Sequence, residues 1–255
     1  MTKMIYLLSL MLLNCGCSLA RNQVLAQEAD LRRDMVDSTV MLRMDVYVEE
    51  GGFAGTLKQI LMGKGANQKV LHMSCSGVVV DKAGGIVSEP KTLIVTAHHC
   101  LDLPKVGDAM GEDIVSKVEV KAYDSRGTAC ELTTIALGGY GPDDTATAVG
   151  KCDIGKVGRL ATHVPATQEQ VYISGHPSSI FPAHVSMGYL SGWLNGWLLT
   201  SAPAWPGSSG GPVWNTDGEL IGLLVRGSQE YPLITLVAPL GEIQKRLKQS
   251  ETWSD

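Results

Sequence analysis

With 255 residues and a formal net charge of −5, the chain lacks the basic stripe that nucleic-acid binding requires, so no nucleic-acid partner is expected. Charged residues make up 18%, aromatics 5%, and 29 residues are glycine, a turn-rich balance that excludes a coiled coil or a disordered chain. The length suits one well-packed β domain or two small ones.

The first twenty residues carry the marks of an export signal: Lys3, an apolar run over residues 5–13, and Ser18-Leu19-Ala20 as a small-x-small cleavage site before Arg21. That run is too short to span a bilayer as a helix. Cys17 offers a second reading, lipid attachment at the cleaved end. Residues 21–36 follow as a polar, partly apolar lead-in with helical spacing. From Ser38 the pattern turns to β: Val40, Leu42, Met44, Val46 and Val48 alternate with Thr39, Met41, Arg43, Asp45 and Tyr47, which sets one apolar row inward. Residues 49–69 read as a loop with a helical turn near 57–62.

Short strand-like runs then recur with turn chemistry between them, the pattern of an all-β barrel or sandwich. Val78-Val79-Val80 turns through Asp81 to Gly85 into Leu93-Ile94-Val95-Thr96. Val118 to Tyr123 turns at Asp124-Ser125-Arg126-Gly127 and returns from Ala129 to Ile135. Gln170 to Ser174 is a strand, and residues 185–194 and 197–200 flank Asn195-Gly196, a two-residue hairpin signal. Val213-Trp214 and residues 220–225 flank a further turn. The tail has Leu240, Ile243 and Leu247 at helical spacing, so a C-terminal helix closes the chain. The two β-rich halves divide into residues 37–160 and 161–255.

The stretch Pro206-Gly207-Ser208-Ser209-Gly210-Gly211-Pro212 sets a serine among glycines, where backbone N–H groups can converge beside its hydroxyl. A serine hydroxyl is a weak nucleophile unless a base and an orienting carboxylate join it. Thr96-Ala97-His98-His99-Cys100 offers the base and Cys152-Asp153-Ile154-Gly155-Lys156-Val157 the acid. The same glycines fit the G-x-S-x-G elbow of α/β-hydrolases, but that fold needs its histidine after the serine. All six histidines, at 72, 98, 99, 163, 176 and 184, precede Ser209. After removal of a leader four cysteines remain, at 75, 100, 130 and 152, which allows three disulfide pairings in an exported chain. No C-x-x-C or H-x-x-x-H spacing supports zinc, and no metal or other cofactor is expected.

These motifs, GSSGGP and TAHHC in the order His, Asp, Ser, resemble the signatures of chymotrypsin-like (trypsin-like) serine proteases. The resemblance covers residues 37–248 and is closest to the bacterial branch that includes the high-temperature-requirement proteases; no peptide-binding module is expected after residue 255. It implies two six-stranded antiparallel Greek-key β-barrels with a C-terminal helix and a site in the cleft between them. It further implies Ser209 as nucleophile, His99 as general base, and the N–H groups of Gly207 and Ser209 as an oxyanion hole. Asp153 is the expected acid, although the family's D-[IL]-A-[LV]-[LV] pattern is lost at Gly155 and Lys156; Asp143 and Asp144 in the Pro142-Asp143-Asp144-Thr145 turn compete. His98 is expected to be a packed neighbour.

The family's bridge across the histidine loop implies Cys75 with Cys100, and so Cys130 with Cys152. Ser208 stands where the digestive enzymes have an aspartate that binds a freed N-terminus, so that activation switch is not expected. Pro203, six residues before the nucleophile, replaces the acidic pocket floor of trypsin-type enzymes. A small or apolar residue is expected before the cut bond, walled by residues 201–206 and 223–228, the latter pairing with an extended protein or peptide substrate. His163, His176 and His184 are expected in loops, and Trp193, Trp197, Trp205 and Trp214 in hairpin packing. The rival expectation is a protease-like fold kept as a binding or structural protein.

Overall fold

A computed structural model describes residues 23–49, 68–85, 88–102, 115–228 and 233–251. The expected leader, Cys17 and the loop with its helical turn near 57–62 lie outside these residues. Residues 23–38 form a helix, α1, that runs directly into the first strand.

The first barrel closes six antiparallel strands in the order β1-β2-β3-β6-β5-β4: β1 (Thr39–Glu49), β2 (Gln68–Gly85), β3 (Ser88–Thr96), β4 (Val115–Tyr123), β5 (Ala129–Leu137) and β6 (Ala146–Gly150). The alternation read along β1 holds, because Val40, Leu42, Met44 and Val46 are all buried. Inside the barrel Val40, Leu42 and Met44 meet Val79, Ile94, Ala122, Ala146, Ala148 and Ile154. At about 25 cal/mol per Å² of apolar surface removed from water, such a core is the main stabiliser of the barrel. The turn expected at 81–85 is part of β2 instead: bulges at Val79/Asp81 and Ala83/Gly85 bend the ladder without ending it.

The second barrel contains β8 (Gln170–Gly175), β9 (His184–Leu194), β10 (Trp197–Thr200), β11 (Pro212–Trp214), β12 (Glu219–Gly227) and β13 (Thr235–Pro239). Its sheet runs β11-β8-β9-β10-β13-β12, and pairing of β11 with β12 closes it into a six-stranded ring. The two-residue strand β7 (Arg159–Leu160), expected to end the first half, adds in parallel to β12. Asn195 and Gly196 turn β9 into β10 with φ of 49° and 84°, the left-handed pair that a tight hairpin turn demands. Helix α2 (Leu240–Gln249) follows β13 and buries Leu240, Ile243 and Arg246.

The barrels meet through one apolar cluster. Met35 of α1 and Val78 and Val95 of the first barrel pack with Tyr172, Trp214, Leu223 and Ile243 of the second half. A relay of hydroxyls crosses the same seam. The Trp214 indole donates to Ser174 Oγ at 2.8 Å, Ser174 and Thr39 hydroxyls lie 2.6 Å apart, and Thr39 Oγ1 donates to the Met35 carbonyl at 2.7 Å. The disulfides Cys75–Cys100 and Cys130–Cys152 are both present, and both belong to the first barrel.

Candidate active site

After β3 the chain enters a single 3₁₀ turn, His98–Cys100, pinned to β2 by the Cys75–Cys100 bridge. The register Thr96↔Ala146 between β3 and β6 brings the residues just before β6 beside this turn. Asp144 consequently meets His99. Its carboxylate accepts the His99 backbone N–H at 3.0 Å, and its two oxygens lie 2.9 and 3.1 Å from Nδ1. With Nδ1–H donated to the carboxylate, Nε2 is left as the accepting nitrogen. The Asp144 side chain is 6% exposed and that of His99 33%, so the pair is buried at the carboxylate end and open at the ring.

The structure joins Asp144 to His99, and not Asp153, the acid expected from the resemblance. Asp153 lies on the loop after β6, its side chain 67% exposed and ion-paired to Lys82. Cys152 is tied to Cys130 and Ile154 is fully buried in the first core, so the loop is fixed with Asp153 facing solvent between them. Lys82 Nζ also donates to the Gly155 carbonyl at 2.7 Å. A signal for Asp144 was present: Asp144-x-Ala146 keeps the alanine of the family pattern and opens a strand. Thr145 and Thr147 in place of aliphatic residues hid it.

The turn bearing Asp144 is held from outside by α2. Arg246, 3% exposed, donates to the Leu137 carbonyl at 3.0 Å, to Asp143 Oδ1 at 2.7 Å and to Thr145 Oγ1 at 3.3 Å. Asp143, the other competitor, is therefore a structural anchor. Burial alone would raise its carboxyl pKa, but hydrogen bonds with Glu242, Arg246 and Lys245 outweigh burial and hold it below the usual aspartate value.

Ser209 comes from the turn between β10 and β11. Its carbonyl accepts Ser76 N–H of β2 at 2.7 Å and lies 3.7 Å from Cys100 Sγ, one residue from His99. Its hydroxyl donates to the Val225 carbonyl on β12 at 3.1 Å. Gly210 lets this turn press on the histidine loop: a Cβ there would stand 2.1 Å from Thr96 Oγ1 and 2.7 Å from the Ala97 nitrogen. Gly207 has φ +94°, a left-handed conformation suited to glycine. The Pro206 carbonyl accepts Ser178 N–H at 2.8 Å and the Ser208 carbonyl accepts Gly211 N–H at 2.9 Å. The opposite ends of those two peptide groups are the N–H groups of Gly207 and Ser209, which donate no hydrogen bond among the described residues. Two unused donors beside a serine can bind an anionic oxygen.

The other histidines divide by burial. His98 is packed as expected, 3.4 Å from Asp102 and edge-on to Tyr140. His163 and His184 are exposed, the latter against Trp205. His176 is instead fully buried, its Nδ1 bonded to the Ile180 carbonyl. Burial holds its ring below the ordinary value of 6.5, only partly offset by that bond. Among the described residues one group, Cys75, His99 and Cys100, gathers potential metal-ligand atoms within 4.8 Å, but its two sulfurs are bonded to each other and offer no thiolate.

A family model described as "Trypsin-like peptidase domain" matches residues 75–223, the span from the first bridging cysteine to β12. The chain belongs to the trypsin-like peptidase family. Its members are serine peptidases, and the two-barrel architecture is theirs. Among solved structures, the chain is similar to a serine endoprotease from Yersinia pestis, with a TM-score of 0.59 and 18% identity over 86% of this chain. The match covers 64% of that protein, just under two thirds of its length, and at this identity the likeness is one of fold. No curated protein matches the sequence. Among the described residues no helix is long and apolar enough to cross a membrane.

Proposed function

We propose that the chain is an exported serine endopeptidase that cleaves protein or peptide substrates through an acyl-enzyme. The observation that carries this reading is the two-point hold of Asp144 on His99, through the ring and the main chain at once. Ser209 attacks the scissile carbonyl as Nε2 of His99 takes its proton. Asp144 fixes the tautomer and stabilises the imidazolium that forms, and the N–H groups of Gly207 and Ser209 receive the oxyanion. His99 then returns the proton to the leaving amine, and water repeats the cycle to release the acid. Because the Ser209 hydroxyl rests on the Val225 carbonyl, a rotation about its Cα–Cβ bond precedes attack. Export agrees with the N-terminal signal and with two disulfides, which persist in oxidising compartments.

For specificity, Pro203 lies between Ala202 and Ala204, and neither 201–206 nor 223–228 contains a carboxylate, which favours a small or apolar residue before the cut bond. The exposed Arg226 and Gly227 at the end of β12 provide the edge for an extended substrate. A fluorophosphonate probe should label the wild type at Ser209 and leave Ser209→Ala unlabelled, and a mixed peptide library should be cut after small or apolar residues. A folded wild type that takes no label would favour the binding-protein reading, and dominance of Lys or Arg before the cut would overturn the specificity.

A further inference from the structure

Gly207, a glycine at positive φ, has little steric resistance of its own to turning its peptide planes. Something else must aim its N–H. On one side Ser178 N–H holds the Pro206 carbonyl, which fixes the peptide that contains the Gly207 N–H. On the other side the Gly207 carbonyl accepts a hydrogen bond at 2.9 Å from the hydroxyl of Ser76.

Ser76 is on β2 of the first barrel, fully buried and next to the bridged Cys75. All its polar atoms are used. The hydroxyl hydrogen goes to Gly207, and the hydroxyl oxygen accepts His176 N–H at 2.8 Å. The backbone N–H donates to Ser209, and the carbonyl accepts Thr96 Oγ1 at 2.6 Å. His176 opens the turn that carries Ser178, and the Ser179 N–H returns to the His176 carbonyl at 3.1 Å. The same hydroxyl thus touches Gly207 directly and anchors the turn whose Ser178 N–H holds the preceding peptide.

We propose that Ser76 is a positioning residue for the oxyanion hole, its hydroxyl reaching from the histidine-bearing barrel to fix the peptide planes on either side of Gly207. The proposal rests on the endopeptidase reading and adds to it a dependence of one barrel's catalytic loop on a side chain of the other. Removing the hydroxyl leaves the Gly207 carbonyl and the buried His176 N–H without their partner, and Gly207 free to turn.

The test compares wild type, Ser76→Ala and Ser76→Thr, using a chromogenic ester substrate and the rate of fluorophosphonate labelling. Losing a whole oxyanion donor costs about 100- to 1000-fold in kcat, so loosening one should cost roughly 10- to 100-fold. In Ser76→Ala, kcat and the labelling rate should fall together by that factor while KM changes less than about threefold. Ser76→Thr, which keeps the hydroxyl, should recover most of both. An alanine variant that keeps wild-type kcat and labelling rate would overturn the proposal, as would a folded threonine variant as slow as alanine. An alanine variant without native near-ultraviolet circular dichroism would also overturn it, since the hydroxyl would then be needed for folding and not for aim. A wild type that takes no label would instead remove the endopeptidase reading beneath it, so the two failures are distinct.

Discussion

Asp144 and Asp153 are the same residue type nine positions apart in the chain, and their surroundings give them opposite roles. Asp144 is buried and receives two donors from His99, whereas Asp153 is in water beside one lysine. Asp144→Asn should keep the volume but favour the wrong tautomer of His99, with kcat falling by about 10⁴-fold. Asp153→Asn should lose only a solvated ion pair, worth 1 kcal/mol at most, and leave kcat within about twofold. Steady-state kinetics of the two variants checks both, and the reverse ranking would return the acid to Asp153. The motifs of Ser209 and His99, the proposed nucleophile and base, stand out in the sequence because they are contiguous and each glycine or cysteine in them has a local reason. Which aspartate meets the histidine was not legible, because that depends on which loop the β3–β6 register brings there, and Thr145 before β6 and Thr147 within it masked the strand that sets it.

Among the elements, α2 shows how a surface helix can serve a distant site. Its amphipathic spacing was plain in the sequence, yet nothing there said that Arg246 would be buried against the β5–β6 turn. The guanidinium bonds residues on both sides of Asp144, namely Asp143 and Thr145. Arg246→Met should leave the Leu137 carbonyl and Thr145 Oγ1 without their buried donor while Asp143 keeps Lys245, and cost about 1–3 kcal/mol, the range for an unsatisfied buried polar group. Urea unfolding would read this as a lower midpoint, and kcat should fall with it as the turn loosens; unchanged stability would refute the clamp. The hairpins were easier to read, since Asn195-Gly196 needs only two residues to fix its geometry. The long β2 was harder: its apolar alternation is broken by bulges, and Gly84-Gly85 looks like a turn when read alone.

On the scale of the whole molecule, both disulfides staple the barrel that holds His99 and Asp144, and neither is in the barrel that holds Ser209. With cysteines 25 and 22 positions apart, each closes a loop worth about 3–4 kcal/mol in the loop-entropy model. Reduction should therefore lower the calorimetric unfolding temperature, and a transition unmoved by reductant would mean that the bridges add nothing to the fold. The division into two β-rich halves was readable from strand spacing, but the seam was not, because its bonds join residues such as Ser76 and Gly207 that are 131 positions apart. The seam also contains Trp214, 1% exposed, with its indole N–H engaged by Ser174 and its ring against the Gly158 backbone and Val78. An indole so enclosed emits blue-shifted light while the halves are closed and red-shifted light once solvent enters. The protein thus carries its own optical gauge of whether the cleft is assembled, readable without an added dye once the other four tryptophans, Trp193, Trp197, Trp205 and Trp253, are replaced.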